Sequence, residues 1–441
     1  MLILYLERMR KNKIDIVTLG CSKNLVDSEL LMRQFTANGY KVAHDPESPQ
    51  GDIVVINTCG FIESAKEESI RMILTFGEAK KNKKIRKLFV MGCLSERYQK
   101  EMQELIPEVD KFYGKFNWKE LLSDLGKTFN QELASERLLT TPAHYCYLKI
   151  AEGCNRTCSF CSIPLITGKY QSKTMEDIVA EVQLLVKQGV KEFQLIAQDL
   201  TYYGMDIYKK YNLPELLERI SDIEGVEWVR LHYAYPALFP LKILTIMRER
   251  DNICKYLDIA LQHSSDAMLK RMRRNISQSE TRELIRTIRR EVPGIHIRTT
   301  MMVGHPGETE VDFTDLLDFV KEMRFERLGA FTYSNEEGTY SYQYYDDNIE
   351  NEIKNQRMNK LMTVQEKIAQ EIGEEKIGQI MKVIIDREER DYYIGRTEYD
   401  SPEVDPEVLI EKKQSLMPGR FYPVKIIGTH SFDLFGEVEY N

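Results

Sequence analysis

The sequence lacks any apolar run that approaches the length needed to cross a bilayer, so no membrane-spanning segment is predicted in its 441 residues. A secretory leader is also missing. Met1 to Lys13 opens on four apolar residues and passes into a cluster of charges. That apolar stretch is too short for a signal peptide, and no small-residue cleavage site follows it. These absences predict a cytoplasmic protein that makes no use of a membrane.

Positive charge is not in excess either. Asp and Glu number 69 against 61 Lys and Arg, which gives a net charge of −8. Residues 373–441 hold 15 of the acidic and 9 of the basic residues, a net charge of −6. A segment with that charge repels phosphate backbones and attracts a basic protein. A solvated acidic surface without a partner accounts equally well for the same composition.

The eight cysteines lack the spacing of a zinc site. Cys154, Cys158 and Cys161 form a C-x3-C-x2-C loop after the strand-like run 145–150, and no second C-x2-C or His pair follows closely. Tetrahedral zinc requires a fourth ligand. Three thiolates in one short loop suit a soft metal centre, in particular a 4Fe–4S cluster with one iron left open. A zinc or disulfide loop remains the alternative.

Three further cysteines, Cys21, Cys59 and Cys93, occupy equivalent places in the first part of the chain. Between residues 14 and 125 helical patterns alternate with three strand-like runs, 14–19, 52–57 and 87–91. This alternation predicts a doubly wound parallel sheet. Each cysteine follows the carboxyl end of one strand, where ligands bind in such sheets. We therefore expect the three thiols to converge on a second cluster, the alternative being three buried structural cysteines.

The length predicts two or three domains, and the pattern along the chain indicates three, with a polar linker at residues 126–143 between the first and the second. Residues 13–125 form the α/β domain with the doubly wound sheet. Residues 144–372 contain six strand and helix alternations, which predict a partial TIM-like (β/α)6 barrel and, at 351–372, a charged helix packed against its open side. Residues 373–441 show short strand signals separated by turn residues, which predict a small β-barrel.

Several polar residues are predicted at the strand carboxyl ends of the central barrel, where such barrels carry their chemistry. Gln198 follows the second strand and Gln262 the fourth, while Arg298 lies within the fifth. An arginine in a buried strand needs an anionic partner, and a substrate carboxylate is one candidate. His232 and His296 are interpreted as packed histidines. The basic run 270–274 (KRMRR) is interpreted as a solvated helix face.

The six cysteines in this register, together with the terminal β-barrel, resemble the radical SAM methylthiotransferase family over nearly the whole chain. The resemblance implies an N-terminal cluster-binding domain, a radical SAM domain and a TRAM domain. It also implies two 4Fe–4S clusters, one held by Cys21, Cys59 and Cys93 and the other by Cys154, Cys158 and Cys161. The second cluster would bind S-adenosylmethionine (SAM) at its open iron, with Gln198, Gln262 and Arg298 as candidate contacts to SAM.

Short motifs distinguish two branches of that family. The stretches GCSKNLVDSE (20–29), IPLITGK (163–169) and IAQD (196–199) resemble the branch that modifies an aspartate of ribosomal protein uS12. Thr167 stands where arginine is common in both branches. The other branch modifies an adenosine of tRNA and usually carries G-C-Q-x-N and P-Y-x-R-G-R patterns. The acidic terminal segment also favours a basic protein over tRNA.

The resemblance implies a transferase that inserts sulfur at the β-carbon of the aspartate and methylates it with a second SAM. Its partners would be uS12, free or in the small ribosomal subunit, an electron donor such as flavodoxin or ferredoxin, and a sulfur donor. Three other functions remain: a tRNA adenosine methylthiotransferase, a non-catalytic ribosome- or RNA-binding protein with structural metals, and a redox-sensing cluster protein.

Overall fold

The computed structural model describes residues 12–439, and the chain in it forms two compact units. The first unit runs to Thr140 and includes the segments Glu152–Asn155 and Ser162–Lys169. The second comprises Thr141–Ala151, Arg156–Cys161 and the chain from Tyr170 onward. No helix within residues 12–439 has both the length and the apolar composition of a bilayer span. The expectation about a leader concerns residues 1–11 above all, which lie outside the described part.

The first unit is built on a five-stranded parallel sheet in the order β2-β1-β3-β4-β5, as predicted for this part of the chain. Alternate strand residues enter two separate hydrophobic clusters, one on each face, so helices must cover both faces. The strands and helices are β1 Lys13–Thr18, α1 Ser22–Ala37, β2 Lys41–His44, β3 Ile53–Thr58, α2 Glu63–Lys81, β4 Lys87–Gly92, α3 Cys93–Leu105, β5 Lys111–Phe112, α4 Trp118–Asp124 and α5 Ile163–Thr167.

The predicted linker packs closely against α1. Arg137 is buried and forms an ion pair with Glu29, with 3.0 Å between Arg137 Nη1 and Glu29 Oε2. The backbone N–H and the hydroxyl of Thr140 donate to the other oxygen of the same carboxylate, at 2.8 and 3.0 Å. Farther back along the segment, Asn130 exchanges two hydrogen bonds with Gln34. The polar composition of this segment therefore reflects contacts with a helix and not a free connection.

The second unit contains a six-stranded parallel sheet in the order β6-β9-β10-β11-β12-β13, which confirms the predicted six βα units. Two of its helices begin with a capping box, at Ser277 with Glu280 and at Thr309 with Asp312. The elements are β6 Tyr145–Lys149, β7 Ala151–Glu152, β8 Gln171–Ser172, α6 Met175–Lys187, β9 Glu192–Ile196, α7 Leu213–Ser221, β10 Trp228–Ala234, α8 Lys242–Glu249, β11 Ile253–Ile259, α9 Asp266–Arg271, α10 Gln278–Glu291, β12 His296–Val303, α11 Glu310–Met323 and β13 Arg327–Thr332.

Two further helices follow the sheet, α12 Tyr340–Tyr344 and α13 Asn351–Glu374. The longer one lies against β13, the edge strand of the open sheet, in agreement with the predicted position of the charged helix. Gln365 Nε2 donates to the carbonyl of Phe325 at 2.9 Å, just before that strand. This helix therefore covers the edge that an incomplete barrel leaves unpaired.

The chain ends in a closed five-stranded barrel with the order β14-β15-β16-β18-β17, which confirms the predicted small β-barrel. Its core is apolar and contains Val383, Val408, Val424 and Ile426. The sequence signals did not predict the short third strand. The strands are β14 Ile380–Glu388, β15 Tyr392–Thr397, β16 Val408–Glu411, β17 Phe421–His430 and β18 Asp433–Val438.

This barrel covers the amino-terminal ends of the parallel strands in the same unit. Glu192, the first residue of β9, is fully buried and accepts hydrogen bonds from Arg396 of the barrel and from Arg230 of β10. Arg327, the first residue of β13, pairs with Asp400. Although burial alone would raise it, Arg396 and Arg230 together hold the pKa of Glu192 below its ordinary value. The two parts of the unit are thus joined by buried charge pairs.

These ion pairs also bear on the acidic composition of residues 373–441, because they remove some of its carboxylates from the surface. Asp386, Asp400 and Asp405 are directed at Arg396, Arg327 and Arg298 of the same unit and not at solvent. The net charge of −6 therefore overstates the acidity of the barrel surface.

Replacing Arg396 by Met should lower the free energy of unfolding of the second unit by about 3–5 kcal/mol, because the buried carboxylates of Glu192 and Asp386 each lose a charged partner. Trp228 at the contact with Phe421, with a ring distance of 4.8 Å, reports this unfolding by fluorescence in a Trp118→Phe background. The matched control is Arg387→Met in the same barrel, whose ion pairs with Glu389 and Glu407 are exposed; it should cost less than about 1 kcal/mol. Equal losses would contradict the role of the buried pairs.

Candidate functional site

Cys21, Cys59 and Cys93 lie at the carboxyl ends of β1, β3 and β4, which are adjacent in the parallel sheet of the first unit. Cys21 precedes α1 and is exposed, whereas Cys59 and Cys93 are buried. Cys93 is the first residue of α3, directly after its strand. The sheet thus brings three cysteines that are far apart in sequence to one edge.

Glycines allow the loops carrying these cysteines to touch. A Cβ added at Gly20 would lie 2.6 Å from Cys59 Cβ and 2.9 Å from its Sγ, so only glycine permits this approach. Gly92 has a φ of +100°, and a Cβ there would lie 2.5 Å from the carbonyl oxygen of Thr58. The glycines beside the cysteines therefore serve the close packing of the three loops.

Asn24 links all three loops. Its fully buried side chain donates from Nδ2 to the carbonyls of Leu19 and Thr58, each at 3.0 Å, which belong to the loops of Cys21 and Cys59. The thiol of Cys93 in turn donates to Asn24 Oδ1 at 3.6 Å. Asn24 was not among the predicted site residues, since an asparagine in the first turn of a helix gives no distinctive signal.

The buried thiols are weak acids in the absence of a metal. Burial raises the pKa of Cys59, and it raises the pKa of Cys93 to about 12 although the Lys115 ammonium opposes the shift. Lys115 is itself buried, 3.0 Å from Glu152 Oε1 and 3.7 Å from Asp27 Oδ2. A bound metal displaces thiol protons, because only the thiolate is a ligand. A donor set of three thiols beside a buried cation fits a soft, negatively charged cluster.

A single zinc ion requires its ligands to surround one point at about 2.0–2.3 Å. Among residues 12–439, no three His, Cys, Asp or Glu side chains converge in this way. A cubane cluster distributes three cysteines over three different irons, so it accommodates thiols that are farther apart. The arrangement of Cys21, Cys59 and Cys93 fits the cluster better than a single metal ion.

The C-x3-C-x2-C loop contributes Cys154 to the first unit and Cys158 and Cys161 to the second. In the first unit, the backbone N–H of Cys154 donates to the carbonyl of Gly168 at 3.2 Å. In the second unit, the N–H of Ser159 donates to the carbonyl of Met272 at 3.0 Å, and its carbonyl accepts from the N–H of Ser341 at 2.7 Å. These bonds hold the loop segment that carries Cys158.

Arg274 is the main residue that sequence reasoning missed. Its guanidinium is buried, and Nη1 donates to Cys158 Sγ at 3.2 Å while Nη2 donates to the carbonyl of Ala260. The guanidinium also lies 4.2 Å from the ring centroid of Tyr235. A buried cation is costly unless an anion compensates it. If Cys158 is a metal ligand, its sulfur would supply that anion. Because Arg274 is buried, the basic run 270–274 is only partly the solvated face that was expected.

A second arginine lies beside the same tyrosine. Arg156 donates from Nε to Asp199 Oδ2 at 2.7 Å, and its guanidinium lies 4.1 Å from the ring centroid of Tyr235. The other oxygen of Asp199 accepts from the N–H and the hydroxyl of Thr201, at 3.0 and 2.6 Å. These contacts fix the Asp199 carboxylate and the Arg156 guanidinium at the carboxyl end of β9.

Gln262 and Gln198 lie after the carboxyl ends of β11 and β9, as predicted. Gln262 adopts a left-handed backbone with a φ of +75°, an unfavourable conformation for a residue with a side chain. Its buried Oε1 has no hydrogen-bond donor among the described residues. Beside it, His263 Nε2 and Glu308 Oε1 are buried 3.7 Å apart. Gln262 therefore presents an acceptor that a ligand with N–H or O–H groups would satisfy.

Arg298 lies at the opposite end of the sheet from these glutamines. It is the third residue of β12 and forms an ion pair with Asp405 of the terminal barrel. The anionic partner that a buried arginine requires is thus an aspartate of the chain itself. We therefore leave Arg298 out of the candidate SAM site.

His232 was interpreted as a packed histidine. In agreement with this, its Nε2 lies 2.7 Å from Gln194 Oε1.

Three family models match successive parts of the chain. Residues 13–114 match the uncharacterized protein family UPF0004, residues 148–320 the radical SAM superfamily and residues 377–438 the TRAM domain. Curated proteins named ribosomal protein uS12 methylthiotransferase RimO align over nearly the full length. The protein from Parabacteroides distasonis is 66% identical over 98% of this chain and 100% of its own, and that from Cytophaga hutchinsonii is 54% identical over 97% and 98%.

Solved structures share the fold at low sequence identity. The radical SAM methyltransferase TsrM from Kitasatospora setae, with cobalamin and a 4Fe–4S cluster bound, has a TM-score of 0.54 at 14% identity and covers 73% of this chain and 72% of its own. The cobalamin-dependent radical SAM enzyme OxsB has a TM-score of 0.52 at 13% identity over 83% and 57%. At these identities the likeness concerns the fold alone.

Proposed function

The chain belongs to the family of the ribosomal protein uS12 methylthiotransferases RimO, and we propose that it adds a methylthio group to the β-carbon of an aspartate of uS12. The observation that supports this most strongly is the full-length identity of 54–66% with proteins of that name. The cysteine pattern and the three domain matches agree with it. The coarser activity, a radical SAM methylthiotransferase, follows from family membership.

The reaction requires the removal of hydrogen from an unactivated carbon, which no ordinary side-chain base achieves at a useful rate, so a cofactor must carry that step. We assign Cys154, Cys158 and Cys161 to a 4Fe–4S cluster that binds SAM, and Cys21, Cys59 and Cys93 to a second cluster. When bound, these groups supply the one-electron cleavage of SAM and a site for the transferred sulfur. The side chains hold, orient and shield them from water.

Two residues have roles that their contacts support. Arg274, locked between Cys158 Sγ and the carbonyl of Ala260, offsets negative charge at the Cys158 ligand. Gln262 offers its buried oxygen to an amino or hydroxyl group of SAM. Gln198 remains a proposed contact to SAM, and its position after the carboxyl end of β9 is the only support for that role.

Family membership supports uS12 as the substrate more than the charge of the terminal barrel does, since three of that barrel's carboxylates are directed at arginines of its own unit. We retain a low-potential electron carrier and a sulfur donor as further partners. We also propose a cytoplasmic location, because the proposed substrate is a ribosomal protein.

The test offers uS12 and bulk tRNA side by side to the anaerobically reconstituted protein, with iron, sulfide, SAM and a reductant. Mass spectrometry should find a methylthio group in place of hydrogen on an aspartyl peptide of uS12, and only when SAM is present. A modified nucleoside instead would overturn the proposal in favour of the tRNA branch. Tightly bound zinc in the protein, in place of iron, would favour a non-catalytic binding protein.

A further inference from the structure

We propose that Lys270, Arg273, Tyr340 and Tyr344 form the docking surface for the acidic one-electron carrier protein that reduces the cluster at Cys158. We call these four residues the cationic patch. The inference rests on the proposed function, because it assigns a place to the reductant which that function requires. All four residues belong to the second unit.

The cationic patch lies directly behind the cysteine loop. Lys270 and Arg273 flank Met272, whose carbonyl accepts from the N–H of Ser159, the residue after Cys158, at 3.0 Å. Tyr340 precedes Ser341, whose N–H donates to the carbonyl of the same serine at 2.7 Å. Electron transfer between proteins falls off steeply with distance, so a carrier must dock close to the ligands of its acceptor. The backbone that carries this surface is hydrogen-bonded to Ser159, which is the residue after the proposed ligand Cys158.

The side chains of the patch are presented to solvent. Lys270 and Arg273 are exposed, and Tyr340 and Tyr344 are 38% and 65% exposed. The Arg273 guanidinium lies 4.6 Å from the ring centroid of Tyr340, which is 4.4 Å from that of Tyr344. Tyrosine and arginine are the residues enriched at protein interfaces, since they offer large contact areas. Exposed tyrosines stacked on an arginine are therefore suited to a partner protein.

A cleft of about 420 Å³ adjoins the patch, and Thr157, Lys270, Arg273 and Asn275 are among its lining residues. Two acidic residues also line it, and both carboxylates are held at the start of α10. Asp266 accepts from the N–H of Gln278 at 2.6 Å, and Glu280 accepts from the N–H of Ser277 at 2.8 Å. Among the described residues Lys270 and Arg273 form no ion pair, so both cations are available to the carboxylates of a partner.

Charge and size favour a carrier protein over RNA. The whole chain is negative, at −8, so an acidic protein is attracted to local cations while the rest of the surface repels it. Complexes for electron transfer are weak and small, which matches two cations and two tyrosines. Proteins that bind a nucleic acid backbone commonly contact about 6–10 phosphates, and two exposed cations are too few for that.

The step transfers one electron and no atoms. The carrier, a reduced flavin or iron–sulfur protein, is oxidised by one electron, and the cluster at the C-x3-C-x2-C loop is reduced by one. SAM cleavage then consumes that electron, so the carrier must be supplied again in each cycle.

The test compares two reductants in the reconstituted full-length enzyme, reduced flavodoxin and the small molecule dithionite. The double variant Lys270→Glu/Arg273→Glu should lower kcat/KM for flavodoxin in SAM cleavage by at least about tenfold, the lower end of electrostatic steering effects. The rate with dithionite, which needs no docking surface, should be unchanged. Added salt should reduce the difference between variant and parent.

Two further variants serve as controls. Lys242→Glu/Lys321→Glu changes the net charge equally on exposed side chains of α8 and α11 and should leave both rates unchanged. Lys270→Gln/Arg273→Gln should give a smaller loss with flavodoxin alone. An unchanged flavodoxin rate, equal losses with both reductants, or a loss of RNA or uS12 binding in place of flavodoxin dependence would each overturn the inference. Failure of the parent enzyme with dithionite would instead contradict the proposed function.

Discussion

Cys154→Ala is expected to reduce SAM cleavage to the level seen without enzyme. The proposed cluster would have three cysteine ligands and would supply the electron that the cleavage requires, so the loss of one ligand should disable it. The measurement is the release of methionine and 5′-deoxyadenosine under anaerobic conditions. Iron content should fall in parallel, from about eight per chain to about four, because the other three cysteines are untouched.

The matched control is Cys146→Ala. Cys146 lies on β6, is fully buried and falls outside both cysteine groups. The same substitution there should preserve both iron content and SAM cleavage. Normal cleavage by Cys154→Ala, or an equal loss in Cys146→Ala, would contradict the assignment of the C-x3-C-x2-C loop.

Cys59→Ala should separate the two halves of the reaction. SAM cleavage should continue at a rate of the same order as in the parent, but no methylthio product should form on uS12. The reason is that Cys59 belongs to the other group of three cysteines, which we assign to holding the sulfur that is transferred. Iron should again fall to about four per chain. The variant consumes SAM without product, which makes its signature distinct from that of Cys154→Ala.

Both activities are read in one reaction mixture, SAM cleavage from the small-molecule fraction and methylthiolation from the mass of the uS12 peptide. Ser95→Ala, which alters a buried side chain of α3 near the same strand ends, should retain both. A methylthio product made by Cys59→Ala would refute the two-cluster assignment, whatever the rate of cleavage.

Strand patterns predicted the architecture well because they are local. The predicted runs 14–19, 52–57 and 87–91 agree to within one residue at each end with β1, β3 and β4. Strands buried on both faces form near-continuous apolar runs, and amphipathic helices repeat every three to four residues, so both are legible in a single sequence. The short strands Lys41–His44 and Lys111–Phe112 were not predicted, since they are brief, polar and formed by pairing with a neighbour.

Charged residues were the least predictable part of the site. Arg298 was expected to face a ligand and pairs with Asp405, more than a hundred residues away. Arg274 was expected on a solvated face and lies buried against Cys158. Arg137, in a segment interpreted as a linker, is buried against Glu29. A charged side chain is long and its partner is set by the fold, so local sequence does not determine its environment.

The sequence by itself determined the chemistry that this protein can carry. The spacing of Cys154, Cys158 and Cys161, and the position of Cys21, Cys59 and Cys93 after successive strands, depend only on neighbouring residues and on the topology of parallel sheets. The tertiary structure alone decided which polar groups serve those cysteines and which hold the fold together. Asn24 joins three loops, and Arg274 reaches a cysteine more than a hundred residues earlier in the chain. The buried carboxylate of Glu192 pairs with arginines from two different strands. The physical reason is that a buried polar or charged group must find its partner in three dimensions, and the cost of leaving it unpaired selects that partner wherever the fold places it.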